Sequence, residues 1–244
     1  MLNLSDRLLE GPAIEVGGGS VDRIVAAVQQ RIRRDGLQPG NPLPSESALA
    51  TEHGVSRAVV REAFSSLAAL KLIALGNGRR AVVAAPDSAV LALLLDHSVH
   101  TRQTSIQQVL DVRRTLELRT VVLAALRRTD AEAREITAHT AGMAACLADS
   151  AAVMEHDIAL HIAIADASRN PLFALLMGAF QVVTRQTWPV GWRTRTTAAA
   201  RQRSVDCHAA IATAIEDRDP RRAETAMAEH FDETVRVLLA AGIV

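Results

Sequence analysis

The chain has 244 residues, with 27 Lys/Arg against 27 Asp/Glu for a formal charge of zero; 49% of it is hydrophobic, only 2% is aromatic, and it has no tyrosine. That length buries a real core as one large domain or two small ones, and the aliphatic, alanine-rich makeup points to mostly α structure because alanine is the strongest helix former. Two cysteines, Cys146 and Cys207, exclude a disulfide framework or zinc ribbon, and no uninterrupted apolar run approaches the ~20 residues of a membrane span.

The N-terminal stretch lacks a basic segment followed by an apolar one, so no secretory signal is expected and the cytoplasm is the expected compartment. Residues 1–20 end in Gly17-Gly18-Gly19-Ser20, which reads as a flexible lead-in. Ser20 is the expected N-cap of a helix whose apolar positions are Val21, Ile24, Val25, Val28 and Ile32, closing at Asp35-Gly36. Pro39, Pro42 and Pro44 keep the next segment out of helix. Ser45 caps a short helix that stops at Gly54, and Ser56 caps a longer one from Arg57 to about Leu72, apolar along Val60, Phe64 and Leu67. Ile73–Leu75, a Gly76-Asn77-Gly78 turn and Arg79–Ala84 read as a hairpin. Helix, helix–turn–helix and hairpin in that order predict a winged helix–turn–helix over residues 21–86.

Beyond Pro86-Asp87 no strand is evident. Helices are expected near 88–98, 105–127, 130–149, 151–168, 171–187, 195–217 and 220–240. Breaks are expected at Thr129-Asp130, at Asn170-Pro171 (Asn as cap, Pro at the first helical position), at Trp188-Pro189-Val190-Gly191 and at Asp219-Pro220. The fold class is therefore mainly α: the winged domain, a linker helix and linker over 87–104, and an all-α antiparallel bundle over 105–244.

A charge sum of zero argues against nucleic acid only until it is divided. Residues 53–80 hold Arg57, Arg61, Lys71, Arg79 and Arg80 against Glu62 alone. Arg57 and Arg61 are one turn apart at the front of the second helix of the pair, the end that such a motif presents to the major groove. Arg79 and Arg80 follow the turn of the wing and suit backbone or minor-groove contacts. Taken singly each arginine fits a solvated face; the shared frame of capped helices and wing favours a DNA surface.

The run Pro42-Leu-Pro44-Ser45-Glu46, Leu49-Ala50, Val55-Ser56-Arg57, Val60-Arg61-Glu62-Ala63 and Leu67 resembles the DNA-binding domain of GntR-family bacterial regulators over about Val21–Ala85. The resemblance implies that Arg57 and Arg61 are the principal operator contacts, with Asn77 and Gly78 at the wing tip. The candidate DNA-contacting set is thus Ser45, Ser56, Arg57, Arg61, Asn77, Gly78, Arg79 and Arg80. Ser47 stands where many relatives carry arginine.

In the C-terminal half, polar residues occupy apolar stripes. Asp157 and His161 lie one turn apart on a helix that is apolar almost all round; His208 shares a stripe with Ile211 and Ile215, and His230 one with Met227, Phe231 and Leu238. Burying such groups without partners costs several kcal/mol. Each histidine alone fits a core residue bonded to a carbonyl; together with Asp157 the three supply an N₃O donor set suited to a divalent metal, zinc foremost, with nickel, manganese or iron as alternatives. His53, His97, His100, His139 and His156 follow no such pattern and read as surface or linker residues.

Arg113-Arg-Thr-Leu-Glu117, Asp157-x₃-His161, Ala165–Leu172, His208-x₂-Ile-x₃-Ile215 and His230 resemble the FCD domain of FadR-like GntR regulators over about 105–240. The resemblance implies that Asp157, His161, His208 and His230 coordinate the metal and that Arg113 faces an effector, a small organic acid or sugar acid; an ordinary Arg113–Glu117 pair is the alternative for that arginine. The expected function is a transcriptional regulator, a repressor by family habit and no enzyme, acting as a homodimer on a palindromic double-stranded operator. The alternatives are a purely structural metal without effector and a metal-dependent hydrolase.

Overall fold

The computed structural model describes residues 18–76 and 79–243; the wing-tip residues Asn77 and Gly78, the side chain of Arg79 and most of the expected lead-in lie outside that description. The chain divides between Asp87 and Ser88 into two compact units.

In the first unit, α1 (Ser20–Arg34), α2 (Glu46–His53) and α3 (Arg57–Ala69) precede a hairpin of β1 (Ile73–Gly76) and β2 (Arg79–Val83). The cap of α1 is Gly19 rather than Ser20, and the Asp22 carboxylate takes the Gly19 N–H in place of a serine hydroxyl. Ser45 and Ser56 cap α2 and α3 as expected, accepting from the amides of Ala48 and Val59. Gly54 turns the chain out of α2 with φ +64, a left-handed conformation that a glycine adopts without steric cost. α3 is three residues shorter than expected. Lys71 takes φ +58, and the Leu72 amide reaches back to the Leu67 carbonyl, closing the helix before it can extend. The strands pair antiparallel, Ile73 with Val83 and Gly76 with Arg79, with a bulge between Ala74 and Gly76. The proline-rich segment joins the sheet: Pro42 bridges Val82, and the Leu43 amide donates to Ala81. Ile24, Val28, Leu43, Leu49, Val60, Phe64, Leu67 and Ile73 form one core. Each such side chain contributes ~1.5–3 kcal/mol on burial.

Seven helices form the described second unit: α4 (Ala89–His100), α5 (Ile106–Arg127), α6 (Asp130–Ala145), α7 (Ser150–Ala167), α8 (Pro171–Thr194), α9 (Ala198–Glu216) and α10 (Pro220–Ala240). Side-chain caps start six of them: Ser105, Thr129, Asp149, Asn170, Thr197 and Asp219. The segment expected as a linker is packed, because Leu95 and Val99 of α4 lie against the cluster of Val109, Met177 and Phe180. α5 is the central helix, touching α7, α8, α9 and α10.

α8 runs through the expected break at Trp188–Gly191. Pro189 removes one backbone donor, yet Trp188 and Trp192 stack at 5.5 Å, Trp192 is buried, and Trp188 Nε1 donates to the Ser150 carbonyl at 2.9 Å. This anchorage holds the last turns helical. His139 and His156 are not isolated surface residues. They face each other across α6 and α7 with their Nδ1 atoms 3.4 Å apart, and Gly142 makes room, since a Cβ there would stand 2.4 Å from the His156 ring. His53, His97 and His100 are exposed.

Candidate functional site

The α2–turn–α3 pair presents the first candidate surface. Capped by Ser56, the N-terminus of α3 carries the partial positive charge of the helix dipole. Arg57 opens that helix, exposed and without a hydrogen-bond or ion-pair partner among the described residues. One turn on, the Arg61 side chain is 68% exposed and leans on Glu46 at 3.3 Å, which ties it to the start of α2. Such an exposed pair contributes little to stability and yields readily to a stronger anion. Arg80 is exposed on β2.

The second site lies in the helical unit, where α5, α7, α9 and α10 turn polar groups inward. His161, His208 and His230 each offer a ring nitrogen, all within 4.8 Å of one another. Their rings stand 4.4–5.8 Å apart by centroid. Asp157 is beside them rather than inside that group, with Oδ1 2.9 Å from His208 Nε2.

The outer hydrogen bonds of the histidines decide which nitrogens are free. His161 Nδ1 donates to Glu117 Oε2, and His208 Nδ1 donates to the Ser204 carbonyl at 2.7 Å. In both rings the far nitrogen, Nε2, is buried and has no hydrogen-bond partner. At His208 the nearest group to Nε2 is Asp157 Oδ1 at 2.9 Å, an ion-pair contact at the distance that two ligands of one ion would keep. Donor atoms sharing one ion through bonds of ~2.1 Å stand about 3–3.5 Å apart, so nitrogens already within 4.8 Å need only a small closing movement to share one. Orphaned imidazole nitrogens with their opposite nitrogens fixed by a carboxylate and a carbonyl are the arrangement that metal-ligating histidines need. The residues present therefore fit a divalent ion.

Electrostatics tie the cluster together. Burial alone raises the Glu117 carboxyl, but the charges of His161 and Arg113 and the His161 hydrogen bond outweigh it and bring it to about 2. Burial likewise works against an ionised Asp157, and the contacts with His208, His161 and Arg113 prevail to lower it. His161 is pushed down by burial and up, more strongly, by Glu117 and Asp157. His230 is held well below its ordinary value by burial and by its two histidine neighbours.

Arg113 satisfies both readings of its sequence. It pairs with Glu117 at 2.9 Å and donates from Nη1 to Thr184 at 2.7 Å, and it also lines a cavity beside the histidines. That cavity, about 60 Å³, is further walled by Asp157, His208, His230, Trp188, Arg195 and Ser204. Glu117 and Arg195 are the residues that sequence reasoning missed. The signal for Glu117 was present, since it shares the buried stripe of Leu110, Arg113, Val121 and Ala124. Arg195 follows α8 directly and belongs to no periodic pattern.

A winged helix–turn–helix unit followed by a separate all-helical unit is the architecture of a DNA-binding transcription regulator. Comparison with known proteins makes this specific. Residues 20–83 match the bacterial regulatory proteins of the gntR family, and residues 108–233 match the FCD domain. The chain belongs to the GntR family of transcription regulators, in its FadR-like, FCD-containing branch. It is 31% identical to the HTH-type transcriptional regulator LutR of Bacillus subtilis, covering 85% of this chain and 95% of that one. It is 32% identical to the galactonate operon transcriptional repressor of Escherichia coli, over 70% and 76% of the two chains. The fold matches a Streptococcus agalactiae GntR structure with a TM-score of 0.60 at 20% identity, covering 88% of this chain and 99% of that one. The family and these relatives are transcription regulators, not enzymes. No helix among the described residues is long and apolar enough to cross a membrane.

Proposed function

We propose that the chain is a cytoplasmic repressor that binds a palindromic operator as a homodimer and is modulated by a small organic acid or sugar acid held at a divalent metal. The observation that carries the metal reading is the buried His161 Nε2 without a hydrogen-bond partner, with a His208 nitrogen that faces Asp157 and a His230 nitrogen within 4.8 Å. Asp157, His161, His208 and His230 would hold the ion, and zinc suits so nitrogen-rich a donor set. When bound, the ion supplies a Lewis-acid anchor for a carboxylate. Glu117 and Ser204 orient the two imidazoles, and Arg113, fixed by Glu117 and Thr184, lines the cavity beside them. The adjoining cavity favours an effector site over a purely structural ion.

The winged unit supplies the operator surface. Ser45 and Ser56 set the helix starts, Arg57 and Arg61 enter the major groove, and Asn77, Gly78, Arg79 and Arg80 form the wing's contact. We assign residues 21–86 to DNA binding and 105–244 to effector binding, with α4 as the linker helix between them in sequence. The relatives named for the galactonate operon and as NanR repressors support the repressor reading.

The test is metal analysis of purified wild-type and His161→Ala protein, with operator binding to DNA from the chain's own upstream region. Wild type is expected to carry about one divalent ion per chain and His161→Ala to lose it while retaining helix content. Stoichiometric metal in His161→Ala would remove the site.

A further inference from the structure

The cavity wall contains a cation, Arg195, that forms no ion pair among the described residues. Arg113 is committed, through Nε and Nη2 to Glu117 and through Nη1 to Thr184. Arg195, just past the C-terminus of α8, has no carboxylate within ion-pair distance among the described residues. Among the described residues its side chain donates one hydrogen bond, from Nη1 to the Gly191 carbonyl at 3.2 Å, and its Nε is buried without a hydrogen-bond partner. Glu233 and Asp157 act on it only from beyond ion-pair distance, and Glu233 is itself paired with Arg236. A buried Nε–H without an acceptor costs the desolvation of that group, and a guanidinium lining a cavity is suited to a planar oxyanion.

Charge bookkeeping points to the class of ligand. Glu117 and Asp157 together cancel Arg113 and Arg195, and with neutral histidines the cavity and its surroundings sum to zero. A divalent ion adds two positive charges. A ligand with one carboxylate leaves one of them uncompensated in a buried space, whereas a dianion closes the balance.

We infer that Arg195 is the second anion-holding residue of the cavity and that the effector is a small dicarboxylic acid, one carboxylate at the histidine cluster and the other at Arg195. This rests on the metal-anchored effector reading above. It separates the roles of the two arginines: Arg113 fixes Glu117 and the inner wall, and Arg195 selects for the second carboxylate. Burial also disfavours a lone charge on Arg195, which an incoming carboxylate offsets.

The experiment compares malate with 2-hydroxybutyrate, in which a methyl replaces the second carboxylate, by calorimetric titration of full-length zinc-loaded protein. Wild type is expected to bind malate at least about tenfold more tightly, the usual scale of a charge-assisted hydrogen bond. Arg195→Gln should abolish that preference, leaving 2-hydroxybutyrate affinity and zinc content unchanged, and Arg195→Lys should retain part of it. Equal binding of the two acids by wild type overturns the dicarboxylate assignment, and a preference that survives in Arg195→Gln overturns the role of Arg195. Binding of neither acid, or of both without preference, overturns this inference alone, whereas failure of the wild type to take up zinc overturns the metal-anchored reading on which it rests. Should Arg195→Gln fold poorly, the Arg195→Lys titration decides, since full loss of binding to both acids there contradicts a selective role.

Discussion

In the winged unit Arg57, Arg61 and Arg80 stand in solvent around a wholly aliphatic and aromatic core, whereas in the helical unit Arg113, Glu117, Asp157 and three histidines are built into the interior. Exposed charge is nearly neutral for folding and is free for a partner. Buried charge carries a large desolvation penalty and persists only while each group answers another. Binding and stability should therefore separate in the first unit and be coupled in the second.

The largest effect that can break this contrast is expected at Glu117. Glu117→Ala strips His161 and Arg113 of their shared anion, and loss of one partner from a buried pair costs ~3–5 kcal/mol. Urea unfolding should show that loss, accompanied by weaker metal retention; a change confined to metal affinity would mean that the buried charges are not structural. Arg57→Ala is the counterpart on the surface. It should weaken operator binding about tenfold or more, the worth of one arginine contact, with no shift in the thermal midpoint because the side chain has no intramolecular partner among the described residues. Gel-shift titration beside a melting curve reads both at once.

A smaller effect sharpens the boundary between these extremes. Ser56→Ala removes the hydroxyl that accepts from the Val59 amide, so it should cost ~1 kcal/mol of stability and weaken DNA binding by loosening the start of α3. The smallest prediction concerns His139, which burial and the neighbouring His156 hold below its ordinary 6.5. In the unfolded chain this imidazole takes a proton near 6.5, while in the folded chain it does so only at lower pH. Its contribution to stability is therefore complete above that value and declines as the pH falls through it. His139→Asn should make the thermal midpoint fall less steeply between pH 7 and 5; an unaltered slope would assign the decline to other groups.

Much of this architecture was legible because local chemistry and tertiary structure agree. Ser45, Ser56, Asn170 with Pro171, and Asp219 with Pro220 mark helix starts through backbone hydrogen bonding that involves only near neighbours. The three core histidines announced themselves by interrupting apolar stripes. Pro189 misled because its helix is held by Trp192 and Trp188, contacts that local propensity does not register. Glu117 was obscured by its spacing: an Arg and a Glu one turn apart usually form a solvent-side pair, and only the surrounding stripe marks this one as interior. His139 and His156 meet only because α6 and α7 pack side by side around Gly142, which neither helix encodes alone.

Pro189 also has a mechanical meaning. The cavity takes Thr184, Thr187 and Trp188 from one side of it and Gly191 and Arg195 from the other. Lacking an amide hydrogen, Pro189 leaves the Arg185 carbonyl without its usual partner four residues on, so the backbone ladder of α8 misses a rung beside that wall. Side chains take over where the backbone rung is missing: Trp192 in the core and Trp188 on the Ser150 carbonyl fix the end of α8, so the position of Arg195 on the cavity wall depends on two indoles rather than on the helix ladder.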